Sequence, residues 1–198
     1  TEGLKRADRV ITTIFVNPKQ FAAHEDLGKY PRDEDGDVRK LGKAGTHLIF
    51  SPAPDEVYPP GFSTTISLAG PAKAGLEDKF RPLFFDGVAT VVAKLFTQTG
   101  ADIAMFGEKD YQQLQVVTRM AKDLDIAIEV IGVPTVRETD GLAKSSRNVY
   151  LSKTERQQAV AIYRNLQNAA ERIRSGVNPQ SATRSATRTL MALGFKVD

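Results

Sequence analysis

The order of strand, turn and helix is clearest in one stretch, Phe106-Gly107-Glu108-Lys109-Asp110-Tyr111-Gln112-Gln113-Leu114. The residues before it, 103–106, are apolar or small, as in a buried parallel strand. From Tyr111 onward apolar side chains recur at helical intervals, so Asp110 lies near the start of a helix. A helix start carries unpaired backbone N–H groups and the positive end of the helix dipole. We therefore predict an anion site, with Lys109 facing a phosphate, Asp110 accepting from ribose hydroxyls and Gln113 projecting towards the same mouth. The competing interpretation is a capped helix with a solvated lysine.

A second polar loop lies between a predicted strand at 128–133 and a predicted helix, and reads Asp140-Gly141-Leu142-Ala143-Lys144-Ser145-Ser146-Arg147-Asn148. The helix after it begins with a capping-box pattern at 152–155. The two serine hydroxyls, the backbone amides and the Arg147 guanidinium can hold a polyphosphate from several sides, and a mobile loop can close over it. The alternative is a solvated basic connection.

A third candidate site follows the apolar run that starts at Val10. This run ends in Asn17-Pro18-Lys19-Gln20, at the carboxyl end of a predicted strand, where open α/β sheets bind ligands. Pro18 fixes the turn, and Asn17 and Gln20 offer uncharged donors and acceptors to a molecule with hydroxyl and carboxylate groups. Asn-Pro is also an ordinary turn initiator.

The remaining pattern predicts an α/β protein with a parallel sheet and flanking helices. Predicted strands lie at about 10–16, 46–50, 102–106 and 127–133, and helices at about 33–43, 84–99, 110–123 and 153–174, with another around 180–192. The Pro-rich segment 51–82 interrupts this alternation, and within it Thr64 to Leu68 reads as a strand. The apolar stripe of the 84–99 helix predicts core packing. We predict two domains, residues 1–150 and 151–198.

Together the three motifs resemble the pantoate–β-alanine ligase family, adenylate-forming members of the class I aminoacyl-tRNA-synthetase-like nucleotidyltransferases. The resemblance runs from Asp8 to about Asn148. It rests on Phe-Val-Asn-Pro-x-Gln-Phe at 15–21, Glu25-Asp26-Leu27, Tyr30-Pro31-Arg32, Gly107-Glu108-Lys109-Asp110, Gln112-Gln113-Leu114 and Ser145-Ser146-Arg147-Asn148. It implies a Rossmann-like nucleotide-binding fold and the reaction ATP + pantoate + β-alanine → pantothenate + AMP + pyrophosphate, through a pantoyl-adenylate.

The same resemblance implies roles for individual residues. Gln20 and Gln113 would hold pantoate, with Asn17 beside them and Gln20 also near the β-alanine position. ATP would be contacted by Gly107, Glu108, Lys109 and Asp110, by Val136 at the adenine, and by the phosphate loop Lys144, Ser145, Ser146 and Arg147. Lys109, Arg147, Ser145 and Ser146 would serve catalysis, with Mg²⁺ as a further source of positive charge.

The chain departs from the family pattern in two respects. The family's His-x-Gly-His motif is missing, since neither His24 nor His47 has a histidine three residues away. We expect from this that the first strand and most of the first helix of the family fold are absent. The helical pattern after residue 153 leads to the further expectation that the C-terminal domain is largely absent, so that the fold is incomplete at both ends. In addition, Phe84 stands where the family usually has a histidine, so any polar contact made there must be lost or replaced.

Composition excludes some classes of protein. Twenty-seven basic against 24 acidic residues give a net charge of +3, too slight and interspersed to indicate a nucleic-acid partner. Without cysteine there are neither disulfides nor thiolate metal sites. No apolar run approaches a membrane span, so we expect a cytoplasmic protein with no membrane partner. The family forms dimers, so a homodimer is expected, with 51–82 near its interface. The competing functions are a cytidylyltransferase-like enzyme and a non-catalytic anion-binding fragment.

Overall fold

The computed structural model describes residues 2–21, 25 and 27–197; His24 and Asp26 of the motifs above lie outside these residues. Contacts divide the chain into two compact units, Thr1–Pro134 and Thr135–Asp198. Each unit is described by itself below. The sequence-based division after residue 150 stays a prediction. No helix among the described residues has the length and apolar character needed to cross a membrane.

The strands of the first unit are all in parallel pairs. Strand β1 (Ile11–Thr13) pairs with β2 (Leu48–Phe50), and β3 (Ile103–Gly107) pairs with β4 (Glu129–Val133). Within the described residues these are two separate two-stranded sheets. Strand β1 is shorter than the predicted 10–16 because the chain leaves the ladder after Ile14, whose N–H still donates to the Phe50 carbonyl at 2.9 Å.

Helices alternate with these strands, which confirms the predicted parallel α/β architecture. The helices of the first unit are α1 (Glu34–Lys43), α2 (Pro54–Val57), α3 (Glu77–Phe80), α4 (Phe84–Thr99) and α5 (Tyr111–Asp123). Single 3₁₀ turns lie at Gly3–Lys5, Pro18–Gln20, Gly70–Lys73 and Glu108–Asp110. The core lies mainly between α4 and α5, whose buried residues include Val88, Val92 and Val117. The stripe on α4 is therefore core, as predicted.

The prediction of a strand from Thr64 to Leu68 is wrong. Among the described residues this stretch pairs with no strand. Its backbone is satisfied by a side chain instead: the Ile66 N–H donates to the buried Thr90 hydroxyl of α4 at 2.9 Å. Ile66 and Leu68 pack on the α4–α5 core. Ile66 and Leu68 thus pack on helices while Thr64 and Thr65 are exposed, and tertiary packing overrides the local strand propensity of the stretch.

The second unit joins a short hairpin to two helices. An antiparallel bridge links Arg137 to Ala143, and a 3₁₀ helix follows at Ser146–Tyr150. Helix α6 (Lys153–Arg174) begins with the predicted capping box: Ser152 N–H donates to Glu155 Oε2 at 2.8 Å, and the Glu155 N–H donates to Ser152 Oγ at 3.3 Å. Helix α7 (Pro179–Ala192) packs against α6, and Asn165 Nδ2 donates to the Ala186 carbonyl between them at 2.7 Å.

Candidate active site

A cavity of about 170 Å³ opens in the first unit beyond the carboxyl end of β1. Its lining residues come from the end of β1, the 3₁₀ turn after it, one face of α4 and the first turn of α5: Thr13, Phe15, Asn17, Gln20, Val88, Val91, Val92, Leu95 and Gln113. The structure therefore brings together the three residues predicted to bind substrate. One wall is apolar and the other carries amides, as small-molecule sites commonly do.

Asn17 is the most constrained polar residue of this cavity, and only 2% of it is exposed. Its Nδ2 donates to the Gly87 carbonyl at 3.0 Å and to Gln20 Oε1 at 3.2 Å. Its Oδ1 accepts from the Tyr58 hydroxyl at 2.8 Å and from the Lys19 N–H at 3.2 Å. These four bonds use the full hydrogen-bonding capacity of the amide. Asn17 thus fixes its neighbours by bonds within the protein.

The bond from Asn17 decides what Gln20 presents to the cavity. Because Gln20 Oε1 accepts from Asn17, Nε2 with its two N–H donors is the end of the amide that can donate to a ligand. Gln113, in the first turn of α5, lines the same cavity. Two neutral amides next to an apolar wall can recognise carboxylate and hydroxyl oxygens by short-range hydrogen bonds.

The turn Glu108–Asp110 connects β3 to α5, and Asp110 is the residue that precedes the helix, as predicted. The Asp110 side chain makes no capping bond to α5. Instead Lys109 Nζ lies 3.0 Å from both carboxylate oxygens of Asp110. Both side chains are largely exposed, so this ion pair is weak and can be exchanged for contacts to an anion and to hydroxyl groups.

The second unit carries the predicted phosphate loop and the predicted adenine contact on a single hairpin. The Lys144 N–H donates to the Val136 carbonyl at 3.0 Å, which fixes the start of the loop against the segment that precedes the hairpin. Ser145 accepts from the Arg147 N–H at 3.2 Å, and Asn148 Nδ2 donates to the Ala143 carbonyl at 3.0 Å. Lys144 Nζ lies 3.7 Å from Glu138 and is exposed. Val136 is 63% exposed, so its surface is available to a planar base.

Glycine and an aromatic ring shape the tip of this hairpin. Gly141 has φ +98°, and a Cβ there would lie 2.7 Å from the Tyr163 ring of α6. The Arg137 guanidinium also stacks on that ring, with its carbon 3.7 Å from the centroid, and donates to the Gly141 carbonyl at 3.2 Å. The hairpin is therefore anchored at its base and tip, and the bond from Asn148 to the Ala143 carbonyl closes the segment 144–147 that follows it.

Several residues of the site were missed by sequence reasoning. Tyr58 holds Asn17 through its hydroxyl, and burial raises the pKa of Tyr58 to about 12 against the smaller opposing effect of the Asn17 hydrogen bond. Tyr58 lies in a Pro-rich segment with no motif that marks it. The wall residues Val88, Val91, Val92 and Leu95 belong to a stripe that was predicted as core only, and periodicity cannot tell a core face from a cavity wall.

Among the described residues there is no group of three or more His, Asp or Glu side chains that could hold a metal ion. The described part of the chain therefore offers no metal cage of its own. Asp110 supplies a single carboxylate, and it is paired with Lys109.

Comparison with known proteins assigns the chain to a family. The family model described as pantoate-beta-alanine ligase matches residues 1–198. Curated relatives include pantothenate synthetase from Nitrobacter winogradskyi, 55% identical over 197 residues, covering all of this chain and 70% of the relative. Pantothenate synthetase from Caulobacter vibrioides is 56% identical over 191 residues, covering 96% of this chain and 67% of that protein.

Solved structures agree with this assignment. The pantothenate synthetase of Thermus thermophilus superimposes with a TM-score of 0.93 at 47% identity, covering 96% of this chain and 69% of that one. The ligase of Francisella tularensis, solved in complex with "Beta-gamma ATP" and β-alanine, has a TM-score of 0.81 at 33% identity over 95% of this chain and 70% of that one. The parallel pairs, the amide-lined cavity and these likenesses agree, and the chain belongs to the pantoate–β-alanine ligase (pantothenate synthetase) family of ATP-dependent, amide-forming ligases.

Proposed function

We propose that the cavity of the first unit is the pantoate site of an enzyme that condenses pantoate with β-alanine at the expense of ATP. The observation that carries this proposal is the placement of Gln20 and Gln113 on one cavity, where Gln20 Oε1 accepts from Asn17 and the Nε2 donors are left for a ligand. Pantoate has a carboxylate, hydroxyl groups and a dimethyl carbon. The amides suit its oxygens, and the valine and leucine wall from α4 suits its methyl groups.

Asn17 takes a different role in this proposal from the one that the motif alone suggests. All four of its hydrogen bonds are made within the protein, so it orients Gln20 and holds the turn against α4. Any direct contact of Asn17 with substrate would require one of these bonds to break.

ATP is the co-substrate of this family, and we propose that Gly107, Glu108, Lys109 and Asp110 bind it at the start of α5. When ATP binds, the Lys109–Asp110 ion pair would open. The Lys109 ammonium would then contact a phosphate, and the Asp110 carboxylate would accept from ribose hydroxyls. Lys109 then stabilises the charge that develops on the phosphates as the pantoate carboxylate attacks the α-phosphorus and pyrophosphate leaves.

For the second unit, taken by itself, we propose that its hairpin binds ATP. Val136 offers an exposed apolar surface to adenine, and Lys144, Ser145, Ser146 and Arg147 contact the phosphates. The positive charges and hydroxyls of the loop stabilise the leaving pyrophosphate. The β-alanine amine then attacks the adenylate carbonyl, forming the amide bond and releasing AMP.

The proposal also covers the metal ion, the cellular location, the oligomeric state and the domain division. Mg²⁺ would come bound to the phosphates of ATP, since the described residues hold no three-ligand metal group and Mg²⁺ often binds through phosphates with few carboxylates. We further propose a cytoplasmic homodimer, with segment 51–82 near the subunit contact, and two domains divided near residue 150.

Pantoate-dependent exchange of labelled pyrophosphate into ATP tests the adenylation step without β-alanine. The expected result is exchange only with pantoate present, and pantothenate with AMP once β-alanine is added. Transfer from CTP, or ATP cleavage without pantoate, would move the activity to a neighbouring nucleotidyltransferase. Binding of polyphosphate without exchange would support the non-catalytic alternative.

A further inference from the structure

One arginine outside the predicted motifs contacts the backbone of the pantoate turn. Arg81, which precedes α4, places its Nη2 2.9 Å from the carbonyl oxygen of Gln20, 61 residues earlier in the chain. This carbonyl belongs to the residue whose side chain faces the cavity. Arg81 is not among the residues that line the cavity, so it contacts the turn from outside the cavity.

The guanidinium is fixed in this position from three sides. Glu25 accepts from Nε at 2.7 Å and from Nη2 at 2.6 Å, in a bidentate pair whose side chains are only 23% and 17% exposed. Glu77 of α3 accepts from Nη1 at 3.0 Å. The Phe84 ring lies 3.9 Å from the guanidinium carbon, in stacking contact. A planar fork held by two carboxylates and a ring has little rotational freedom, which a lysine could not reproduce.

The same turn is also held by α4. Asn17 Nδ2 donates to the Gly87 carbonyl, and a Cβ on Gly87 would lie 2.6 Å from the Lys19 carbonyl oxygen. The turn Pro18–Gln20 is thus held between the first turn of α4 and the Arg81 guanidinium. Removing either support would let Gln20 shift relative to Gln113.

We propose that Arg81 is a positioning residue for pantoate binding: with Glu25, Glu77 and the Phe84 ring, it fixes the Gln20 backbone so that the Gln20 amide meets the substrate. The role of Gln20 as a pantoate ligand is part of the proposed function, and this inference rests on it. Phe84 then has a definite task as the flat surface on which the guanidinium stacks.

The main test compares Arg81→Lys with the parent chain. Arg81→Lys keeps a cation for Glu25 but cannot serve Glu25, Glu77 and the Gln20 carbonyl in one plane. We expect the KM for pantoate to rise about tenfold with the KM for ATP within about twofold. The matched control is Arg119→Lys, an exposed arginine paired with Asp123 on α5, which should change neither constant. An unchanged pantoate KM in Arg81→Lys would overturn the proposal.

A double-mutant cycle separates positioning from general stability. In a Gln20→Ala background, Arg81→Lys should raise the pantoate KM by no more than about twofold, because its effect runs through the Gln20 side chain. Additive effects of the two substitutions would contradict the positioning role.

Substitutions of Phe84 test the stacking contact with the guanidinium. Phe84→His keeps a flat ring, so its KM for pantoate should stay near that of the parent. Phe84→Leu removes the ring, so its KM for pantoate should rise about threefold.

Amide hydrogen exchange gives a readout that needs no substrate. Exchange in the peptide covering residues 17–21 should be about tenfold faster in Arg81→Lys than in the parent, and unchanged in Arg119→Lys. Faster exchange in a chain that binds no pantoate would uphold the support of the turn and reject the proposed substrate. Unchanged exchange would reject Arg81 as the support, whatever the substrate proves to be.

Discussion

Two glutamines separated by most of the first unit meet on one cavity, and at the scale of single residues the proposed function assigns them the recognition of substrate. Gln20 is aimed by Asn17, and Gln113 by its position in the first turn of α5. Lys109 carries the positive charge at the neighbouring turn. Substitutions at these positions therefore separate substrate recognition from nucleotide chemistry.

Gln20→Ala and Gln113→Ala should each raise the Kd for pantoate by about tenfold while ATP binding changes by less than about twofold, since each removes neutral hydrogen bonds to one ligand only. Isothermal titration with each ligand measures both constants. Gln98→Ala, at an exposed position of α4, is the control. Equal losses for the two ligands would show that the glutamines support the fold.

Lys109→Ala should slow pantoate-dependent pyrophosphate exchange by about two to three orders of magnitude with unchanged thermal unfolding, because the lysine is exposed and its charge serves the phosphates. Lys122→Ala, on the exposed face of the same helix α5, should leave the rate unchanged. A Lys109→Ala rate within a few-fold of the parent would mean that the lysine is only solvated surface.

Elements, rather than single residues, set the geometry of the turn Pro18–Gln20. Its support comes from the first turn of α4 and from segment 51–82, which contributes Tyr58, Glu77 and Arg81. The same segment is tied to α5 by Gln112, whose Nε2 donates to the Pro71 carbonyl at 2.9 Å and whose Oε1 accepts from the Glu77 N–H at 2.9 Å. The Pro-rich segment thus acts as a brace between the substrate turn and α5.

Gly87→Ala tests the close approach of α4 to the turn. The added Cβ would meet the backbone of Lys19 at 2.6 Å, and backbone atoms cannot move aside as a flexible side chain can. We expect a loss of about 1–3 kcal/mol in the free energy of unfolding, measured in urea, and weaker pantoate binding. Gly42→Ala in α1, where a Cβ meets nothing within 4 Å, should instead stabilise by about 0.4–1 kcal/mol.

The raised pKa of Tyr58 leads us to expect a pH dependence of the free energy of unfolding. Its native pKa of about 12 exceeds the ordinary value of 10.0, so the unfolded chain releases the phenolic proton first. The contribution of Tyr58 to the free energy of unfolding is complete below pH 10 and is lost as pH rises towards 12. Urea unfolding of the parent and of Tyr58→Phe across this window should give a difference that shrinks with rising pH. A constant difference would contradict the buried, protonated phenol.

For the whole molecule, sequence was sufficient for the architecture and for the placement of Gln20, Gln113 and the turn at Lys109. Strong periodicity and the strand-to-helix turns carried the architecture and the turn at Lys109, whereas the resemblance to the family put Gln20 and Gln113 at one site. The Thr64 to Leu68 stretch was misread because its partner is a hydroxyl on α4, which no local pattern reveals. Tyr58 and Arg81 were missed for the same reason, since their contacts span 41 and 61 residues.

The long reach of these contacts has a consequence for the order in which the molecule folds. The Asn17–Gly87 and Arg81–Gln20 bonds close chain segments of 70 and 61 residues, whereas β3, α5 and β4 form a contiguous parallel unit. Closing a long loop costs entropy before its contacts form, so we expect residues 103–133 to become protected early and residues 17–20 late. Pulsed-labelling exchange during refolding would show this order. The binding turn would then be the last part of the first unit to reach its native geometry, and a ligand captured there would act on that final step.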